Sequence, residues 1–195
     1  MKLFQFKQKS DLKQNVHCRR GASIVEMALV VTVLMMLLFG IFEYARFLFV
    51  MHITHNAARD AARYAAVNLD KPANFDSANL IDGTGQTLVS IQNYAIARMA
   101  GAQSQLVNFQ VAVYPVDNVG LYANPPVIRP KSRTVGVYPD PFNPNDPNRV
   151  PWNQADYTEK IAVTIRGNFR SILPNLLFMQ SNIPIQVTGM STAEG

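Results

Sequence analysis

The longest hydrophobic run in the chain extends from residue 22 to residue 42 and contains a single charged residue, Glu26. As an α-helix this run would rise about 31 Å, enough to cross the hydrocarbon core of a bilayer. Helical periodicity continues past the run until Pro72, the first helix-breaking residue. We therefore expect one long helix over residues 22–68, spanning a membrane to about residue 42.

Weaker periodic patterns follow in the second part of the chain. A second amphipathic helix is predicted from about residue 86 to residue 100, with one apolar face made of Leu88, Ile91, Ala95 and Met99. Alternation predicts strands at 106–114, at 160–166 and around 183–187, and Pro184 favours an edge position for the last. In the first strand the apolar side chains expected on one face are Val107, Phe109, Val111 and Val113. The predicted fold class is α+β, a long N-terminal helix followed by a small module of helix and antiparallel sheet.

Two connecting segments stand out by composition. Residues 70–85 are rich in Asn, Asp, Pro and Gly, and are predicted to be a linker. Residues 115–151 form a proline-rich loop, predicted to be either a recognition surface or a stiff extended excursion. Its acidic and amide side chains match no calcium-loop spacing and favour turns instead: Asp140, Asn143, Asn145, Asp146 and Asn148. We predict no metal site there.

The basic charge of the chain is confined to its N-terminus. Residues 1–21 carry six basic residues and one acidic residue, whereas residues 22–195 carry 12 of each and are neutral. This distribution argues against a nucleic-acid partner, which would require a basic surface on the module. By the positive-inside rule, residues 1–21 are expected in the cytoplasm and the module across the membrane.

Other chemistry is sparse. The single Cys18 precedes the apolar run without a lipoprotein box, and no small-residue cleavage pair closes the run, so the apolar segment is expected to stay on the protein. His52 and His55 have a helical chelating spacing, but no acidic or cysteine ligand is adjacent and we interpret them as surface residues. No nucleophile, zinc or phosphate-loop motif occurs, and Asp156 and Glu159 are interpreted as unpartnered polar residues. We expect no enzyme, no cofactor and no small-molecule substrate.

Glu26 admits two interpretations. A carboxylate in an apolar helix costs up to about 3 kcal/mol at the bilayer centre, so it is a candidate functional residue if a partner exists. Alternatively, one turn into the helix, it simply reaches the headgroups. Gly21, just before the run, is either a flexible cleavage point or only a break between the basic segment 1–21, called the leader, and the helix.

The residues around Gly21 resemble a known processing site. The sequence R-R-G-A-S-I-V-E before the apolar run is similar to the type IV prepilin junction. The resemblance implies cleavage by a membrane-embedded prepilin peptidase after Gly21, with Ala22 as the first residue of the mature chain. Glu26 would then be the fifth residue of the product.

Three motifs in order extend this resemblance: E-M-A-L-V-V from residue 26, F-G-I-F-E-Y-A-R-F at 39–47 and N-A-A-R-D-A-A-R-Y-A-A at 56–66. Together they resemble the TadE-like minor pseudopilins of the tight-adherence (Tad, Flp-type) pilus. One departure is Thr32, where many members carry a kinking proline. The resemblance implies a pilin-like inner-membrane protein with a periplasmic module over residues 69–195, which assembles or primes a pilus and either enters the fibre or only starts it. The implied partners are the prepilin peptidase, other pseudopilins and pilin, and the assembly machinery.

The second half of the helix offers a small-residue face. Ala57, Ala61 and Ala65 recur every four residues, so another backbone can approach closely there, although alanine also simply favours helix. Ion pairs at i,i+3 spacing are expected between Glu43 and Arg46 and between Asp60 and Arg63. An alternative to the pseudopilin interpretation is an unprocessed, signal-anchored periplasmic module whose proline-rich loop binds a ligand.

Overall fold

The computed structural model describes residues 16–123, 127–173 and 180–193, with side chains from residue 21 onward. One helix, α1 (Val16–Val67), takes up 52 residues and is about 78 Å long. It begins upstream of the predicted residue 22 and passes Thr32 without a break, because threonine, unlike proline, keeps the backbone N–H that the helix needs. The Thr32 hydroxyl donates to the carbonyl of Ala28 at 2.8 Å. The segment Gly21–Val67 is long and apolar enough to cross a membrane.

The segment predicted as a linker is ordered. It contains a 3₁₀ turn, Ala73–Asp76, and a small hairpin of β1 (Leu80–Ile81) and β2 (Thr87–Leu88). The Asp82 carboxylate closes this hairpin by accepting hydrogen bonds from the Thr84 hydroxyl and the Gln86 amide, which lower the pKa of Asp82. The polar composition of this segment therefore encodes a specific turn.

The second helix, α2 (Ile91–Arg98), is shorter than predicted because β2 takes up the beginning of the expected range. Ser90 caps its start by accepting a hydrogen bond from the Asn93 amide, and Gly101 follows its end with a positive φ of 87°. The predicted apolar face is confirmed for Ile91, Ala95 and Met99, which are fully buried, whereas Leu88 lies in β2 and not on the helix. Tyr94 of α2 stacks on Tyr64 of α1 with ring centroids 4.3 Å apart.

The sheet contains three antiparallel strands, β3 (Leu106–Pro115), β4 (Lys160–Arg170) and β5 (Asn182–Thr192), in the order β3-β4-β5. All three extend beyond their predicted bounds, and Pro184 lies on an edge strand as expected. The α+β fold class is confirmed.

One face of the sheet packs on α1. Ile161, Val163 and Ile165 of β4 join Ile185 and Val187 of β5 in the core cluster that also holds the helix alanines. In the middle of β5, Gly189 lies against the backbone of Ala58, so close that a Cβ atom would overlap the Ala58 carbonyl.

The alternation predicted for the first strand fails at Val107, which is exposed. A β-bulge places Asn108 and Phe109 opposite the single residue Gly167, and Asn108 takes a positive φ of 55°. The bulge turns Leu106 into the core in place of Val107, whereas Phe109, Val111 and Val113 contact the core as predicted.

The proline-rich loop covers the other face of the sheet. It contains the short helix α3 (Asn118–Leu121) and makes isolated bridges between Val116 and Pro130 and between Ser132 and Arg149. Phe142 and Leu121 pack on a second apolar cluster of Ala112, Tyr114, Val116 and Ala162. The described part of the loop therefore packs on the sheet through these residues and is not a stiff extended excursion.

Hydrogen bonds in this loop follow turn chemistry. Asp140, Asn143 and Asp146 each accept from the backbone amide two residues later. Within the described residues, no group of three or more His, Cys, Asp or Glu is placed to hold a metal ion.

Two predictions about charged residues were wrong. Asp60 pairs with Arg98 of α2 at 3.8 Å, not with Arg63. Asp156 and Glu159 are both partnered, since the Lys131 ammonium donates to them at 3.1 and 2.8 Å. These partners come from distant segments, which local spacing does not show.

Candidate assembly site on the long helix

The residues predicted for processing and assembly lie near the N-terminal end of α1, and Gly21 is within the helix, so it is not a break before it. Gly21, Ala22 and Glu26 are all exposed, and a Cβ atom at Gly21 would meet no other atom within 4 Å. Nothing in the described part of the chain therefore obstructs the Gly21–Ala22 bond or the Glu26 carboxylate.

Large apolar side chains surround the helix over the same stretch. From Ile24 to Phe39 every large hydrophobic side chain is exposed, Val25 to 69% and Val33 to 58%. Apolar surface of this extent is unfavourable in water at about 25 cal/mol per Å². This part of α1 is therefore suited to surroundings of lipid chains or apolar helices, and it is long and apolar enough to cross a membrane.

The small-residue face lies elsewhere in the molecule. Ala57, Ala61 and Ala65 are buried within the chain itself, in the core beneath β5. Ala57 is 31 residues from Glu26, about 46 Å along the helix. The predicted site residues thus form an exposed group at one end of α1 and a buried group near the other, and the fold does not bring them together.

Between these groups lies the Glu43–Arg46 ion pair, which the i,i+3 spacing predicted and whose carboxylate is buried. Glu43 is 6% exposed, and its Oε1 accepts hydrogen bonds from Arg46 Nη2 at 3.0 Å and from the Ile172 amide at 2.8 Å. Arg46 Nη2 also donates to the carbonyl of Arg170 at 2.6 Å. Glu43 and Arg46 therefore bind the end of the β4–β5 hairpin to the helix.

Aromatic packing completes this junction. The Phe169 ring lies edge-on to Phe47, with centroids 5.4 Å apart, and the Arg46 guanidinium carbon lies 4.6 Å from the Phe169 centroid. In the sequence, the only signal was a Glu–Arg pair at i,i+3 flanked by aromatic residues. Because of these contacts, the module packs on α1 immediately after the apolar run, which ends at Phe42.

Comparison with known proteins agrees with the motifs of the helix. Residues 21–63 match the family model TadE, described as TadE-like protein. No curated protein sequence and no solved structure matches the chain. The family match covers the apolar run, the Glu43–Arg46 pair and the first part of the alanine face, and it indicates involvement in the Tad pilus system.

Proposed function

We propose, on the premise that residues 21–63 form a TadE-like helix, that this chain is a minor pseudopilin that assembles or primes a tight-adherence (Flp-type) pilus. A prepilin peptidase cuts after Gly21, and the mature chain begins at Ala22. The role is structural: the helix packs among other pseudopilins and pilin at the inner-membrane assembly machinery. The observation that carries the proposal is the family match, which begins at Gly21.

The geometry of α1 supports this proposal. Its apolar half is exposed on all sides and suits both a bilayer and a bundle of parallel helices, while the module packs only on the other half. To enter or prime a fibre, a pseudopilin helix has to leave its lipid surroundings and pack against other helices. The exposed apolar half of α1 suits both environments. The basic residues of 1–21 support a cytoplasmic N-terminus and a periplasmic module.

Processing is the direct test of the proposal. In cells with an active prepilin peptidase, we expect the intact mass of the membrane-extracted protein to correspond to a chain beginning at Ala22. The Gly21→Val variant should retain the leader, because a branched side chain hinders access to the scissile bond. Intact mass spectrometry of both proteins measures this.

Gly83→Val is the matched control, since a Cβ atom added at Gly83 would have no neighbouring atom within 4 Å and Gly83 takes no positive φ. It should be cut like the wild type. An uncut wild-type chain would contradict the proposal and favour the unprocessed, signal-anchored binding module.

A further inference from the structure

An open cavity of about 880 Å³ lies where the β4–β5 hairpin meets α1. Its wall includes Arg46 of α1, Gln105 from the turn before β3, and Arg170, Ser171 and Asn182 of the hairpin. Arg46 is four residues beyond Phe42, about 6 Å along the helix. The cavity is therefore level with the edge of the apolar run.

Unpaired polar atoms are concentrated at this cavity. In the described part of the chain, five buried side-chain polar atoms have no hydrogen-bond partner, and three of them belong to residues of the wall: Arg46 Nε, Gln105 Oε1 and Ser171 Oγ. Ser171 is 6% exposed. A buried polar group without a partner costs about 1–3 kcal/mol. Of these three atoms the Gln105 oxygen is an acceptor, so two donors remain for a ligand.

The charge of the wall favours an anion. Arg46 and Arg170 contribute two positive charges, and the Arg46 charge is paired, since the Glu43 carboxylate is bound to Arg46 and to the Ile172 amide. Arg46 Nε and Ser171 Oγ are donors. A phosphate group offers negative charge together with several acceptor oxygens, which matches two arginines and a hydroxyl.

Apolar side chains flank the same cavity. Ile172, which lines the cavity, is 67% exposed, and the next residue, Leu173, is 39% exposed. Exposed apolar groups beside a cationic cavity, level with a membrane-spanning run, resemble the chemistry of a phospholipid, whose phosphate lies directly above its acyl chains.

We propose that this cavity binds the phosphate of a phospholipid from the leaflet on the module's side of the membrane. The inference rests on the membrane anchoring contained in the proposed function. The bound lipid sets the distance between the module and the bilayer surface. It does so because Arg46 of the cavity wall and Glu43, which binds the module to α1, lie on the same turn of the helix.

The test uses the full chain purified in mild detergent with phosphatidylglycerol added, followed by native mass spectrometry. We expect one lipid retained per chain. Arg170→Gln should weaken retention about tenfold, since one charge-assisted hydrogen bond is lost. Its backbone carbonyl, which Arg46 uses, stays in place, so the fold is kept. Ser171→Leu, which fills the cavity, should also reduce retention.

Arg59→Gln is the matched control, an exposed arginine on α1 with the same change of charge, and it should retain lipid like the wild type. A melting curve followed by Trp152 fluorescence checks that each variant is folded. Retention unaffected by Arg170→Gln, or equal retention of diacylglycerol, which lacks a phosphate, would overturn the proposal.

Titration with inorganic phosphate distinguishes a site for a phospholipid headgroup from a site for free phosphate. Titration calorimetry with phosphate should give much weaker binding than the lipid, because the acyl contacts are missing. Tight, Arg170-dependent phosphate binding without lipid retention would overturn the lipid assignment. Carbonate extraction of cell membranes separates this inference from the proposed function: a chain that stays in the membrane but retains no lipid refutes only the lipid site.

Discussion

Gly189 occupies the closest approach between the sheet and the long helix. It lies in the middle of β5, paired with Val163, and the backbone of Ala58 fills the space where its side chain would be. Here the missing Cβ allows the contact, since any larger residue would hold strand and helix apart. On the helix side, the small side chains of the buried alanines of α1 also allow the strand to approach closely.

We predict that Gly189→Ala destabilises the protein by about 2 kcal/mol, the usual cost of overpacking a core. The melting temperature should fall by about 4–8 °C, followed by the fluorescence of Trp152, the only tryptophan. Gly83→Ala, at an open position, should melt like the wild type. An unchanged melting temperature for Gly189→Ala would mean that the sheet does not lie this close to the helix.

Tyr114 makes stability depend on alkaline pH. Its hydroxyl is bonded to Thr164 at 2.8 Å under the proline-rich loop, and burial raises the pKa of Tyr114 above its ordinary value of 10.0 despite that bond. The folded protein therefore keeps the phenol proton at pH values where the unfolded chain loses it. The resulting stability is complete below about pH 10 and is lost as pH rises through the folded pKa.

We expect the melting temperature of the wild type to fall more steeply above pH 10 than that of Tyr114→Phe. Lys131, whose pKa is also raised, contributes to the slope of both proteins, so the difference between them belongs to Tyr114. Tyr157→Phe, at an exposed position, should behave as the wild type. Parallel slopes for wild type and Tyr114→Phe would contradict the assignment.

At the scale of elements, the proline-rich loop is held by ion pairs and by one aromatic anchor. Trp152 donates its indole N–H to the Ala73 carbonyl at 2.9 Å and packs near Phe75. Lys131 donates to Asp156 and Glu159; burial alone would lower the pKa of Lys131, but these hydrogen bonds outweigh it and raise the pKa. The loop is thereby fixed to the start of β4.

Lys131→Met is predicted to lower the melting temperature by about 2–6 °C, because Glu159, 13% exposed at its side chain, loses its cation. Lys71→Met is the matched control: its pair with Asp70 is shorter, 2.6 Å, but Asp70 is 68% exposed. Exposed pairs contribute about 0–1 kcal/mol, so this variant should change little. Equal effects of the two substitutions would show that burial does not set the strength of these pairs.

The elements that could be predicted from the sequence are those set by local periodicity. The long helix and strands β3 to β5 follow from apolar spacing, and Glu26 stands out as a charge in an apolar run. The exposure of Val107 could not be predicted, because the bulge depends on the pairing of β3 with Gly167. The cavity at the β4–β5 hairpin was equally hidden, since Gln105, Arg170 and Arg46 come from three separate segments.

At the scale of the whole molecule, two parts of α1 have different surroundings. Beyond Phe42 the helix supports the module, whereas before it the helix is exposed on every side and carries one carboxylate, at Glu26. A charge on such a surface is stabilised by headgroups or by a cation on a neighbouring helix. Cleavage at Gly21 would supply that cation, the new α-amino group of Ala22.

The distance between these groups defines the arrangement. Glu26 lies about 6 Å along the helix from Ala22, so in a bundle of parallel helices staggered by about one turn the amino group of one chain would meet the carboxylate of the next. The pair is weak in water and stronger in a low dielectric, where an unpaired charge is costly. The stagger between helices would then follow from charge.

We therefore predict that Glu26→Gln is inserted and cut at Gly21, because the scissile bond is unchanged, but supports no pili and forms no crosslinks with other pseudopilins. Electron microscopy of the cells and chemical crosslinking of membrane-embedded chains measure this. Asp70→Asn, which removes an exposed acid of the module, is the control and should leave both normal. Normal pili and crosslinks in Glu26→Gln would show that the carboxylate only reaches the headgroups, and the register of the bundle would then have to come from the apolar side chains alone.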